Sequence, residues 1–158
     1  LRIASTVLAR AVERYREKHQ GPVLERTNVL FRRLTLGRFD GVRAEYDEQG
    51  SPVLVGVRTG GEMVPVAGMS DGTADQLYLA LRLASLEAYL ETAEPMPFVV
   101  DDILIKFDDD RARAALELLA ELSRRTQVIF FTHHRRLVEL AESTEGVRMQ
   151  EGILCEVQ

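Results

Sequence analysis

"FVVDDILIKFDDDRARAALELLAELSRRTQVIFFTHH", residues 98–134, decides the fold. It opens on a short apolar run, 98–100, and reaches a second, 127–131. Between them Ala112, Leu116, Leu119 and Leu122 recur at the spacing of one helical face, which predicts a helix over about 109–124. Apolar strand, amphipathic helix, apolar strand is a βαβ unit. Its strands are expected to run parallel, joined by a right-handed crossover.

Ligands of parallel α/β sheets bind beyond the carboxyl ends of the strands. The first strand ends in Asp101-Asp102 and the second in Thr132-His133-His134. Neighbouring strands would gather two carboxylates and an imidazole on one rim. Such a rim can hold Mg²⁺, polarise a water and hydrogen-bond a phosphate oxygen. The competing reading is a strand end that merely enters solvent and caps the next element. An Asp-Asp pair matched by a histidine favours the site. Asp108, Asp109 and Asp110 fall at the start of the predicted helix, where negative charge complements the dipole and caps free N–H groups. The D-x-D-x-D-G spacing of a calcium loop is absent.

Outward from this unit, "MSDGTADQLYLALRLASLEAYL", 69–90, predicts a long helix that is apolar on most sides and therefore buried. Thr73 and Gln76 stand at capping-box spacing, after Ser70 and Gly72. Two readings stay open here: a helix cap, or an anion site built from free N–H groups, a hydroxyl and a glycine allowing close approach. Upstream, helices are expected at 1–19 and about 22–35. A period of two follows at Val42, Ala44 and Tyr46, then at Val53, Val55 and Val57, then at Val64 and Val66. That is a small antiparallel meander. Residues 134–142 read as a short helix, and 147–157, turning at Glu151-Gly152, as a terminal hairpin.

The 158 residues are 46% apolar and 28% charged, which suits one folded domain and argues against disorder. The net charge of −5, with pI about 5.3, argues against tight electrostatic binding of nucleic acid by this segment alone. One cysteine, Cys155, excludes an internal disulfide and fits a cytoplasmic protein. No signal peptide or 18-residue apolar run is present, so no membrane role is expected. The chain opens at Leu1 inside an expected helix and reads as part of something longer.

The order of the pieces carries a resemblance. A serine-glycine cap and long helix, a strand ending in acids, an acidic turn, then a strand ending in histidine resemble the C-terminal half of an ABC-type ATPase head. The SMC, RecN and YhaN-like branch, with heads split by a coiled-coil arm, is most similar, and YhaN-type proteins most of all. "MSDGT" is similar to the family's signature motif: Ser70 and Gly72 match, while Asp71 and Thr73 depart from it. "PFVVDD" resembles Walker B, with Asp101 as the Mg²⁺-linked acid. Asp102 stands where most relatives have a catalytic glutamate one methylene longer. "FDD", 107–109, resembles the D-loop, and Asp108 is its carried-over position. His133 matches the switch histidine.

The resemblance implies an α/β fold, the C-terminal lobe of a P-loop NTPase head. It has a parallel βαβ core, an antiparallel meander and an N-terminal helical arm stub. Residues 1–20 would end a coiled-coil arm and 21–158 would form the half-head. It implies ATP and Mg²⁺ as cofactors, Asp102 and His133 as catalytic groups, and Ser70, Gly72 and Asp108 as ATP contacts across a head dimer. No G-x-x-x-x-G-K-[ST] loop occurs in the chain. The implied partners are an N-terminal half carrying Walker A, a second head, and in the whole protein possible DNA, in repair or chromosome maintenance. The chain alone is expected not to hydrolyse ATP. Two other readings compete. One is a metal-dependent nuclease or phosphatase using Asp101, Asp102, Asp108 and His133 around two metals. The other is a non-catalytic module dimerising through helix 1–19.

Overall fold

A computed structural model describes residues 21–47 and 49–152. The expected arm, 1–20, and the far side of the expected terminal hairpin, 153–157, lie outside the described residues. The chain divides into two compact units between Ala93 and Glu94.

In the first unit, helix α1 covers residues 21–34. It ends because the chain turns left-handed at Leu36 (φ 53°) and Gly37 (φ 77°). There the Gly37 N–H donates to Arg32 O at 2.8 Å and the Leu36 N–H to Arg33 O at 3.0 Å, satisfying carbonyls the helix leaves open. The predicted meander follows: β1 (Phe39–Tyr46), β2 (Pro52–Arg58) and β3 (Met63–Pro65), all antiparallel. Helix α1 meets β1 directly. The Phe31 and Phe39 rings lie 5.1 Å apart, and both are buried. The Val42 N–H donates to Asn28 Oδ1 at 2.7 Å. Gly41 makes this approach possible, since a Cβ there would lie 2.5 Å from that same oxygen.

A 3₁₀ turn, Val66–Gly68, leads into α2 (Asp71–Tyr89). Two expectations are corrected here. The cap is Ser70, whose hydroxyl accepts from the Thr73 N–H, so Thr73 is the third helical residue and not the cap. Secondly, α2 is not buried all round: Tyr78, Arg82, Ser85 and Tyr89 form an exposed strip, and Arg82 lies over the Tyr78 ring. Gly72 sits inside the first helical turn and has no positive φ.

The second unit is the βαβ unit: β4 (Phe98–Asp101), α3 (Asp109–Leu122), β5 (Val128–Phe131), then α4 (Arg135–Ser143). Strands β4 and β5 pair in parallel, with Phe98 opposite Val128 and Asp101 opposite Phe131. Helix α3 packs on β5 and α4. Its predicted inner face is buried, Ala112, Leu116, Leu119 and Leu122 all being below 7% exposed. Strand alternation buries Phe98 and Val100 and leaves Val99 and Asp101 outward. Residues 147–152 form no strand. The expected hairpin is therefore not seen in its described half, and its other half lies outside the described residues.

Candidate functional site

The site gathers where β4 and β5 end. Asp101 is the last residue of β4 and is exposed. Its carboxylate has no hydrogen-bond or ion-pair partner among the described residues. Asp102 is left-handed (φ 46°), a conformation that aspartate tolerates better than most residues. Its N–H makes a further bond across the sheet, to Phe131 O at 2.9 Å. The turn then aims its carboxylate at the end of β5.

There Thr132 Oγ1 donates to Asp102 Oδ1 at 2.8 Å and accepts from the His134 N–H at 3.1 Å. With an amide donor behind it, the hydroxyl proton is committed to the aspartate. His133 Nδ1 lies 2.5 Å from Asp102 Oδ2. The side chain of Asp102 is 22% exposed and that of His133 72%. The Asp102 carboxylate thus takes the Thr132 hydroxyl on one oxygen and the His133 ring on the other, the His133 backbone N–H adds to them, and lone-pair capacity remains for water or metal. With Nδ1 engaged, His133 presents Nε2 outward. The His134 ring lies 3.9 Å from that of His133, and its Nε2 is buried with no hydrogen-bond partner. One ligand atom from each of Asp102, His133 and His134 lies within 4.8 Å of the others.

The Asp102 carboxyl is held below its ordinary value of 3.8, chiefly by the Thr132 hydroxyl, with His133 adding and partial burial opposing. A depressed folded value means this contribution to stability is complete above the unfolded pKa. It is lost as pH falls through the folded one. Thr132→Val is expected to move the Asp102 pKa upward, toward 3.8. A side-chain carbon NMR titration checks it, and an unmoved pKa would show that Thr132 is not the main cause.

Asp108 stands apart from this group. It is the N-cap of α3, its Oδ1 accepting from the Arg111 N–H at 2.9 Å. The cap belongs to Asp108, while Asp109 and Asp110 fill the first turn. Asp109 pairs with Arg136 of α4, whose other guanidinium nitrogen donates to Phe107 O at 3.3 Å. The acidic turn is therefore tied to the helix that follows His133. Ser70 is exposed at the start of α2, in the other unit, with Gly72 two residues on. Sequence reasoning passed over Thr132 and Arg136 and gave His134 no role. A hydroxyl residue directly before the histidine was the available signal for Thr132.

The donors fit the implied cation. Mg²⁺ takes oxygen ligands and is usually held by one or two carboxylates, which Asp101 and Asp102 can supply. The two-metal reading fits less well: among the described residues, neither Asp101 nor Asp108 joins the Asp102–His133–His134 group.

No family model matches the chain. It is 26% identical to the uncharacterised protein YhaN of Bacillus subtilis over 150 residues, 94% of this chain and 15% of that protein. It is 33% identical to the chromosome partition protein Smc of Mycobacterium tuberculosis over 76 residues, 47% of this chain and 6% of Smc. The chain thus spans only a small part of these relatives. Among solved structures, one from work on ATP-driven dimerisation and DNA-stimulated activation of SMC ATPases matches with a TM-score of 0.64. It is 20% identical, and the match covers 87% of this chain and 83% of that one. The SMC head domain of Thermotoga maritima matches with a TM-score of 0.54 and 24% identity, over 84% of this chain and 44% of the head. No helix among the described residues is long and apolar enough to cross a membrane. The chain is a homologue of YhaN and Smc, and its fold is that found in SMC head domains.

Proposed function

We propose that residues 21–158 are the C-terminal half of an ATPase head and that residues 1–20 end its coiled-coil arm. The Thr132–Asp102–His133 network on the carboxyl rim of a parallel sheet carries this reading. The sheet itself supports it. It has two strands among the described residues, and Val99 and Phe131 remain exposed on it at 49% and 38%. Two strands make a marginal sheet, and a further lobe packed on that face would cover such residues. The match to less than half of an SMC head domain agrees with a half-site.

In this reading an N-terminal half carrying Walker A supplies the phosphate grip, and ATP is held between two heads. Asp101, with Asp102 beside it, would hold Mg²⁺, which when bound neutralises charge on the phosphate oxygens. Asp102 orients and polarises the attacking water through its remaining lone pairs. His133, anchored at Nδ1 by Asp102, offers Nε2 to the γ-phosphate. A ring that donates at both nitrogens carries a positive charge, and the Asp102 carboxylate balances it. Ser70 and the close-approach Gly72 of one head reach the ATP of the other, with Asp108 in the facing turn. The task of the whole protein is chromosome maintenance, which the likeness to the chromosome partition protein Smc supports, or DNA repair, which the family resemblance alone suggests; the charge of this chain speaks for neither.

The test mixes this chain with the N-terminal half of its parent protein. ATP binding, dimerisation and turnover are expected of the pair, and no turnover of this chain alone. Failure of the pair to bind ATP would sink the reading. Metal-stimulated DNA cleavage by this chain without ATP would replace it with the nuclease.

A further inference from the structure

We propose that Asp102, His133 and His134 form a binding site for a divalent transition-metal ion of the zinc class, which shares Asp102 with the proposed Mg²⁺ site but does not use Asp101. Three observations converge on it. One ligand atom from each residue lies within 4.8 Å of the others. The donor set is one carboxylate and two imidazoles, which suits zinc, cobalt or nickel far better than the all-oxygen preference of Mg²⁺. Nε2 of His134 is buried and has no hydrogen-bond partner, a costly state that the fold does not otherwise explain.

The three ligand atoms, within 4.8 Å of one another, would have to settle to the spacing of a bound ion. Ligands about 2.0–2.1 Å from a tetrahedral ion sit about 3.3 Å apart. His133 Nδ1 and Asp102 Oδ2, now 2.5 Å apart, would open slightly as the ion replaces the proton between them. The 72% exposed His133 side chain is free to turn. Thr132 already supports the set from behind, donating to the ligand carboxylate and accepting from the His134 N–H. The neighbouring cations do not oppose an ion, since Arg135 pairs with Glu139 and Glu151, and Arg136 with Asp109. Three protein ligands leave a position open for water, as in exchangeable sites and unlike closed four-ligand structural ones.

The site stands without nucleotide. Its consequence rests on the ATPase reading: an ion there occupies the carboxylate and imidazole needed for hydrolysis, and so inhibits.

The experiment is a Co²⁺ titration of the full chain in a Cys155→Ser background, followed by visible absorbance and calorimetry. Saturation at one equivalent is expected, with the intense d–d bands of low coordination and no displacement by excess Mg²⁺. His133→Asn and His134→Asn should each weaken binding by about 100-fold, and Thr132→Val by about 10-fold. Asp101→Asn should leave Co²⁺ affinity in place. Circular dichroism of each variant separates ligand loss from unfolding. No saturable binding by the parent chain overturns the site. So does binding that survives His134→Asn in a folded chain, or that Asp101→Asn abolishes. Turnover of the reassembled head is read separately. Inhibition by Zn²⁺ that His134→Asn relieves supports the consequence. Co²⁺ binding in a head that never hydrolyses ATP keeps the metal site and removes the ATPase reading.

Discussion

Asp102→Asn, in the chain reassembled with its Walker A half, is expected to cut ATP turnover by about 10²–10⁴-fold, the usual worth of a positioned acid–base group. The substitution keeps the size of the side chain and removes its charge. Its oxygen can still accept from the Thr132 hydroxyl, 2.8 Å away in the parent protein. Its new amide nitrogen then faces His133 Nδ1, which lies 2.5 Å from the parent carboxylate. Two donors cannot share that contact, so the ring must give up its Nδ1 proton or turn away. On the proposed reading, water polarisation and the balance of charge at His133 are lost together. ATP binding, on the proposed half-site reading, rests on the Walker A half, and so should hardly change. Single-turnover hydrolysis beside equilibrium ATP binding checks this. Turnover within a few-fold of the parent would move water activation to another residue.

The parts of this site differed in how legible they were. The two strands and α3 were readable because apolar runs and a four-residue apolar face report burial directly. The structure places β4 at 98–101 and α3 at 109–122, close to the expected 98–100 and 109–124. The rim followed from topology: parallel strands put both carboxyl ends on one side, so Asp102 and His133 meet across 31 positions of sequence. What stayed open, or failed, were choices decided by backbone angles. Composition cannot say which of Asp108, Asp109 and Asp110 is the cap, because all three can accept. The extended φ of −69° and ψ of 171° at Asp108 decides it. Ser70 and Thr73 posed the same problem and have the same answer. The Arg136 link to Asp109 and Phe107 was invisible, because it depends on how α4 leaves β5. The exposed strip of α2 was missed because a count of apolar residues does not weigh Tyr78 and Tyr89, which can face solvent with their hydroxyls.

Phe107→Ala is expected to destabilise the second unit by about 3–5 kcal/mol, and Leu104→Ala by about 2–5 kcal/mol. Leu104 is 0% exposed and Phe107 4%, although both lie outside any helix or strand. They are the buried positions of "ILIKF", the stretch that separates Asp101-Asp102 from Asp108. Ile105 and Lys106 between them are exposed, so the loop is pinned at two points and open in the middle. Each truncation leaves a cavity whose walls are held by neighbouring elements and collapse only partly. A domain has only about 5–15 kcal/mol in hand, so either loss is a large share of it. Phe107 has the greater reach into function. Its carbonyl accepts from Arg136 and its side chain fixes the residue just before the Asp108 cap. Urea unfolding of the chain gives the stability, and the reassembled head gives the consequence. Phe107→Ala should weaken head dimerisation by more than Leu104→Ala at equal loss of stability. Equal effects would mean that the acidic turn needs only a folded unit behind it, and a cost under about 1 kcal/mol for both would mean that the loop is not anchored by burial at all.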